Sequence, residues 1–255
     1  MDKELESILE KIQKNDEHPE RGAIYYRPLS YDKGKGVFCR GNRQSGLYEE
    51  WWFNGQLRER CHYNDGRREG LSERWHENGQ LEERINYRDG KPVGLCEAWH
   101  PNGQMDERSH YKDGELDGVV EYWYDNGQQE ERGHWENGKR EGVLENWYED
   151  GSPWIRSSYK NGMQDGLSEM WYNNGQPWIR CTYKEGKLDG LYECWHANGQ
   201  LSDRCAYQNG LLIDAVEKVR KTFENKGVSN SSAQSRVGSK CVNLSSNKKK
   251  GGRSL

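Results

Sequence analysis

Residues 70–93, GLSERWHENGQLEERINYRDGKPV, run straight into residues 94–117, GLCEAWHPNGQMDERSHYKDGELD, and the two lines superimpose without a gap. The same register continues in both directions. Seven blocks, each twenty-four positions long, begin at Gly46, Gly70, Gly94, Gly118, Gly142, Gly166 and Gly190 and end at Ile213. Self-similarity at a fixed period is the mark of a repeat architecture, in which each unit is one supersecondary motif stacked on its neighbours.

Every block carries two turn signals eleven residues apart, Asn-Gly (once Asp150-Gly151) and then Asp-Gly, Asn-Gly or Glu-Gly. Such dipeptides suit a two-residue type I′ turn, which needs positive φ at both centres and matches strand twist. Each block therefore reads as a β-hairpin whose second turn leads into the next. About fourteen short strands at about 4.8 Å each predict a single-layer antiparallel ribbon about 65–70 Å long. The fold class is all-β. A turn at Asn54-Gly55 pairs block position eight with eleven and brings Glu49 opposite Arg60, a pairing repeated in all seven blocks. Opposite charges across strands contribute about 0.2–1 kcal/mol each and help to set register. The same register lays Tyr63 (position eighteen) over Gly46 as an aromatic cover. Trp51 (position six) shares a face with the Glu–Arg pair. Repetition of Glu, Arg, Trp and Tyr in every block assigns them to the scaffold.

Composition agrees with an aromatic rather than an aliphatic interior. Leu, Ile, Val and Phe number 38 of 255 residues, against 26 Trp and Tyr and 30 Gly. No run approaches the ~18 apolar residues of a membrane span. The start, Met1-Asp2-Lys3-Glu4, lacks a basic-then-apolar leader. The expected compartment is the cytoplasm. The 7 cysteines form no C-x-x-C pair and read as reduced thiols filling small positions.

The flanks differ from the blocks. Residues 1–45 hold an N-terminal helix, with Leu5, Ile8, Leu9 and Ile12 at helical spacing, and a degenerate cap of one block's length over 22–45. Residues 214–225 predict a C-terminal capping helix with Val216, Val219 and Phe223 on one side. Residues 226–255 are Ser-rich, contain no acid and carry seven basic residues, the composition of a disordered basic tail. The blocks sum to −12 and the tail to +7 within a net charge of −4.

The W-x-x-N-G-Q core, the two turns, the Trp, the Tyr and the spacing over 46–213 resemble the MORN repeat in its longer variant. The variant is similar to that of YwqK-type antitoxins and of the MORN-repeat proteins of marseillevirus-like giant viruses. The resemblance implies an elongated β-ribbon, often extended by dimerisation, that serves as a scaffold or meets partners, in a virus as a structural or host-interaction protein. Lipid binding is attributed to the family, but no lipid site transfers residue by residue.

No nucleophile elbow, P-loop or zincin helix is present. Histidines 76, 100 and 196 share one block position, and 62, 110 and 134 another. Equivalent residues about 9–10 Å apart cannot share a metal ion, so these read as surface histidines. No catalytic residue, metal or cofactor is expected, and the chain reads as a non-enzymatic scaffold for protein–protein interaction. Its partner-binding candidates are Trp147, Trp154, Trp171, Trp178, Ile155 and Ile179, because Pro153-Trp154-Ile155 and Pro177-Trp178-Ile179 replace the polar residues of other blocks. An aromatic interface centre and packing between neighbouring hairpins both account for these tryptophans. The alternatives are association with a membrane surface or with nucleic acid through Lys248, Lys249 and Lys250, which would also direct the chain to the nucleus. Partners are unnamed proteins, with a homodimer as a further option.

Overall fold

The structure is a computed structural model describing residues 6–8, 10–11, 30–32 (backbone only) and 37–213. Among the described residues eighteen strands form one antiparallel sheet. From Ser30 to Leu212 consecutive strands pair in chain order, apart from Glu115–Leu116 and Gly118–Trp123, which both pair with Met105–Lys112. The blocks therefore make one continuous meander, as the repeat predicts. Two short strands, Ser30–Asp32 and Val37–Arg40, continue it in front of block one, with Arg40 opposite Glu49. Residues 6–8 and 10–11 are helical, and Ile8 is buried with Phe38 and Trp51, against which Leu57 packs. Leu5, Leu9 and Ile12, most of the cap over 22–36, the helix over 214–225 and the basic tail lie outside the described residues.

The Glu–Arg register holds in every block. Arg60 stands opposite Glu49 in its own hairpin and opposite Glu73 in the next. The seven expected pairs thus merge into one alternating row across the sheet, from Arg40 to Arg204. Within the hairpins the ion-pair distances run from 2.9 Å (Arg60–Glu49) to 3.5 Å (Arg108–Glu97).

The turns correct the expectation. Asp65 and Gly66 both have positive φ, 47° and 77°, so the second turn is the two-residue type I′. At the first turn only Gly55 does (87°), and Trp52 N–H donates to the Gln56 carbonyl while Gly55 N–H donates to the Trp52 carbonyl. That is a three-residue loop of residues 53–55, and position seven, not eight, faces eleven. One extra residue, Arg58, is bulged between Leu57 and Glu59 and restores the register at Glu49.

The aromatic-cover expectation also fails. A Cβ on Gly46, Gly70, Gly94 or Gly142 would meet nothing within 4 Å. These glycines are required by conformation: φ is 74–86° where the strand bulges at the block start, a region that glycine enters without steric cost. Tyr at position eighteen instead folds over positions three and sixteen, whose side chains form the buried row of one face. Large faces small at several rungs of that row: Val120 opposite Gly133, Leu144 opposite Ser157, Ile85 opposite Ser72. In block four the aromatic is Trp135, and a Cβ on Gly133 would stand 2.7 Å from both Trp135 Cζ3 and Leu144 Cδ1. Cys61, Cys96 and Cys181 are free, buried members of this row. Burial pushes the Cys61 thiol up to about 11 and the Cys96 thiol to about 12. They therefore stay protonated and unreactive at neutral pH.

Candidate interaction surface

The opposite face carries three parallel rows. The first is aliphatic: Leu71, Leu95, Val119, Val143, Leu167 and Leu191, all at block position two and 37–42 % exposed. Equivalent residues are two strands apart, so the row has a pitch of about 9.6 Å. The second is the Glu–Arg row, and the third is the Trp row at position six. Arg60 lies over Trp75 of the following block, 5.8 Å from its ring centre. The indole thus covers a neighbour's guanidinium rather than its own hairpin's, in cation–π contact. With Arg60 against Trp75 and Glu49 on its other side, blocks one and two share this cation, as Arg40 over Trp51 joins the preceding strand to block one.

Along the first-turn edge the blocks are joined by side chains. Position seven donates to the carbonyl of the next block's Trp: Trp52 Nε1 to Trp75 at 2.9 Å, Tyr124 Oη to Trp147 at 2.8 Å, Tyr172 Oη to Trp195 at 2.9 Å. His76 and His100 do the same through Nε2, at 2.7 and 2.8 Å. A carbonyl only accepts, so each of these Nε2 atoms carries the proton. The surface reading of these histidines missed this role. One signal for it was present: position seven is always Trp, His or Tyr, the aromatics that donate. His100 also lines a cleft of about 370 Å³ with Arg74, Glu82, Glu83 and Asp106, and stands 3.5 Å from Asp106. Its donor nitrogen is already directed at the Trp123 carbonyl. Among the described residues no group of three or more His, Cys, Asp or Glu is placed to hold a metal ion, and no helix is long and apolar enough to cross a membrane.

The six candidates do not form one patch. Trp154 and Trp178 are the bulged residues of their hairpins, between Pro153 and Ile155 and between Pro177 and Ile179. A bulge re-aims its side chain, so strict alternation with Trp147 and Trp171 is lost. Their rings pack on position seven of their own blocks: Trp154 on Tyr148, 5.8 Å between centroids, and Trp178 on Tyr172, 5.5 Å. Trp154 remains 38 % exposed, while Trp147 and Trp171 are half-buried in the Trp row. Ile155 pairs with Met170 on the opposite face, and Ile179 is buried there. The aliphatic row was the feature that sequence reasoning overlooked, because a Leu or Val beginning each strand looks like core. Lys248, Lys249 and Lys250 lie outside the described residues.

A family model described as "MORN repeat variant" matches residues 44–65, 68–89, 92–113, 116–137, 140–161, 164–185 and 188–209. Its units start two residues before the blocks defined above. No curated protein matches. Among solved structures, a chain of the "GtfA/B complex bound to UDP and GlcNAc" aligns at 13 % identity with a TM-score of 0.19. The alignment covers 52 % of this chain and 25 % of that one, and carries no argument.

Proposed function

The chain belongs to the MORN repeat variant family, and on that premise we propose that it is a non-enzymatic cytoplasmic scaffold that holds protein partners along its ribbon. The observation that supports this reading is the exposed aliphatic row. Six consecutive blocks leave a Leu or Val more than a third exposed at one position, although a Ser or Thr there would serve a solvated strand equally well. Exposed apolar side chains that alternate with Asn86, His110, His134, Ser158 and Thr182 on the intervening strands, beside a charged row, give the mixed apolar and polar composition of a protein-binding surface. The stitched edges keep such a surface stiff, so ordering it on binding costs little entropy.

Partner capture from a lysate of the native system tests this with three proteins: the full chain, a chain ending at Asn225, and a full chain with Leu95, Val119 and Val143 replaced by Ser. The expected result is a stoichiometric protein retained by the first two and lost from the third, with an unchanged circular-dichroism spectrum. Retention by the Ser variant, or recovery of only lipid or nucleic acid that disappears with the tail, overturns the proposal.

A further inference from the structure

The first-turn edge departs from its repeat at one place. In blocks one to four and in block six, Asn at position nine donates to the position-eight carbonyl of the next block, as in Asn126 Nδ2 to Glu149 at 2.7 Å and Asn174 Nδ2 to Ala197 at 2.8 Å. Block five has Asp150 there. A carboxylate has no N–H to give to the Asn173 carbonyl. Position eleven changes as well. Gln128 Oε1 lies 2.8 Å from where a Cβ on Gly151 would be, and the glutamines before Gly79, Gly103, Gly127 and Gly199 fill the same space. Ser152 replaces that glutamine, and a Cβ on Gly175 would meet nothing within 4 Å.

A notch therefore opens between the turns of blocks five and six. The seam keeps the spacing of the others at this edge, since Tyr148 Oη still donates to the Trp171 carbonyl at 2.8 Å. What borders it is rich in acceptors. The Asp150 carboxylate is exposed; its Oδ1 accepts from Ser152 Oγ at 2.5 Å and from Ser152 N–H at 2.9 Å, bonds that hold its pKa below the usual carboxylate value. Ser152 Oγ also donates to Asn173 Oδ1 of the next block at 3.3 Å, a short side-chain bridge across the notch. Two aromatic pairs stand on these same turns, Tyr148 with Trp154 and Tyr172 with Trp178. Elsewhere position thirteen is Arg58, Glu82, Asp106, Glu130 or Ser202. The lost amide, the shortened side chain and the added tryptophans converge on one seam.

We propose that this notch is a docking point for an arginine side chain of a protein partner, which rests on the reading of the ribbon as a protein-binding scaffold. A guanidinium brings five donors and a flat cationic face. It meets an exposed carboxylate that keeps acceptor capacity beyond its two Ser152 bonds, and a carbonyl that receives no side-chain amide from Asp150. Both lie on turns that carry indole and phenol rings, whose faces attract cations. The −12 charge of the seven blocks, of which blocks five and six contribute −2, favours its long-range approach, while Asp150 supplies the charge at the notch itself. A lysine ammonium would meet the charge but would stack less well on the rings.

The test is an NMR titration of the full chain with N-acetyl-arginine amide, following the indole N–H signals assigned through Trp154→Phe and Trp178→Phe. The expected result is saturable shifts at Trp154 and Trp178 in the millimolar range, with N-acetyl-lysine amide weaker. In the double variant Asp150→Asn, Ser152→Gln the affinity should fall at least ~10-fold. That variant installs the residues of the other blocks, so folding is not put at risk. Non-saturating shifts, or equal affinity in the double variant, overturn the proposal. So does a change in the two indole signals on ending the chain at Asn225 without added arginine, which would make the chain's own basic tail the occupant. Partner capture that survives in the double variant would remove the notch while leaving the scaffold reading intact.

Discussion

The seam between blocks four and five and the seam between blocks five and six are one hairpin apart, yet their first-turn edges differ. The former is joined by Tyr124 to the Trp147 carbonyl, by Asn126 to the Glu149 carbonyl and by Gln128 against Gly151. The latter keeps the first of these, Tyr148 to Trp171, and in place of the other two has a single 3.3 Å bond from Ser152 to Asn173 Oδ1. At the second-turn edge the two seams are alike: Gly162 N–H donates to the Arg140 carbonyl at 2.9 Å and Gly186 N–H to the Gln164 carbonyl at 2.8 Å. Cohesion is thus set seam by seam, and one edge can be loosened without disturbing the other. In a repeat array stability is close to a sum of unit and nearest-neighbour terms, so a gap at one seam stays local.

The largest expected effect acts on the buried face that runs under all the blocks. Burial pushes the Tyr111 and Tyr183 hydroxyls on the buried face up to about 12, alongside the Cys96 thiol. A folded-state pKa above the unfolded value means that the native state holds more protons between about pH 10 and 12, so stability falls as pH rises through that window. Alkaline unfolding followed by ellipticity should coincide with tyrosinate absorbance, and both seams should open together. Tyrosine ionisation that follows a single pKa near 10 for every tyrosine, with the fold intact, would contradict this.

Next in size is a paired glycine substitution. Gly151→Ala and Gly175→Ala both place a side chain at positive φ, 81° and 76°, at a common cost of about 1–2 kcal/mol. Only Gly151→Ala also displaces Gln128 Oε1 from 2.8 Å, so chemical denaturation should rank it the less stable of the two. Equal losses would mean that the glutamine contributes no packing.

A smaller effect follows from exchanging the turn residues. Asn126→Asp copies the open seam into the closed one by removing the donation to the Glu149 carbonyl. The loss of one such hydrogen bond should cost about 1 kcal/mol. Asp150→Asn should recover a similar amount, with slower hydrogen exchange at the turn of block six. Smallest of all is Arg180→Gln, which breaks a 3.2 Å pair with Glu169 whose arginine is 56 % exposed. Such a pair contributes about 0–1 kcal/mol, and thermal melting should shift only slightly. A large shift would show that the row acts as a cooperative network.

Much of this was legible in the one-dimensional pattern. Asp65-Gly66 and its equivalents were read correctly as type I′ turns, and Glu49 opposite Arg60 followed from the period. Asn54-Gly55 misled, because the same dipeptide serves a three-residue loop when a bulge at Arg58 absorbs the extra residue. The expected register survived because the two errors cancel. Within the candidate surface, the departures at Pro153-Trp154-Ile155 and Pro177-Trp178-Ile179 were visible. The packing of Trp154 on Tyr148 and of Trp178 on Tyr172 was not, since a bulge breaks the alternation that would have placed them with Trp147 and Trp171.

The sequence by itself determined the meander, its seven units, the alternating Glu–Arg row and the turn that links each hairpin to the next. Those follow from local φ preferences and a period of two, which act within a few residues. The tertiary structure alone decided which face is covered, since the fold of Tyr or Trp135 over its row depends on the volumes opposite it. It also decided which side chains join block to block. Asn126 and Glu149 are nearly a full block apart in the chain. Whether a side-chain amide meets a carbonyl over that separation depends on how far neighbouring strands rotate and where each turn bulges. Asp150 and Ser152 differ from their counterparts by one functional group each, and only that geometry turns the difference into an open notch.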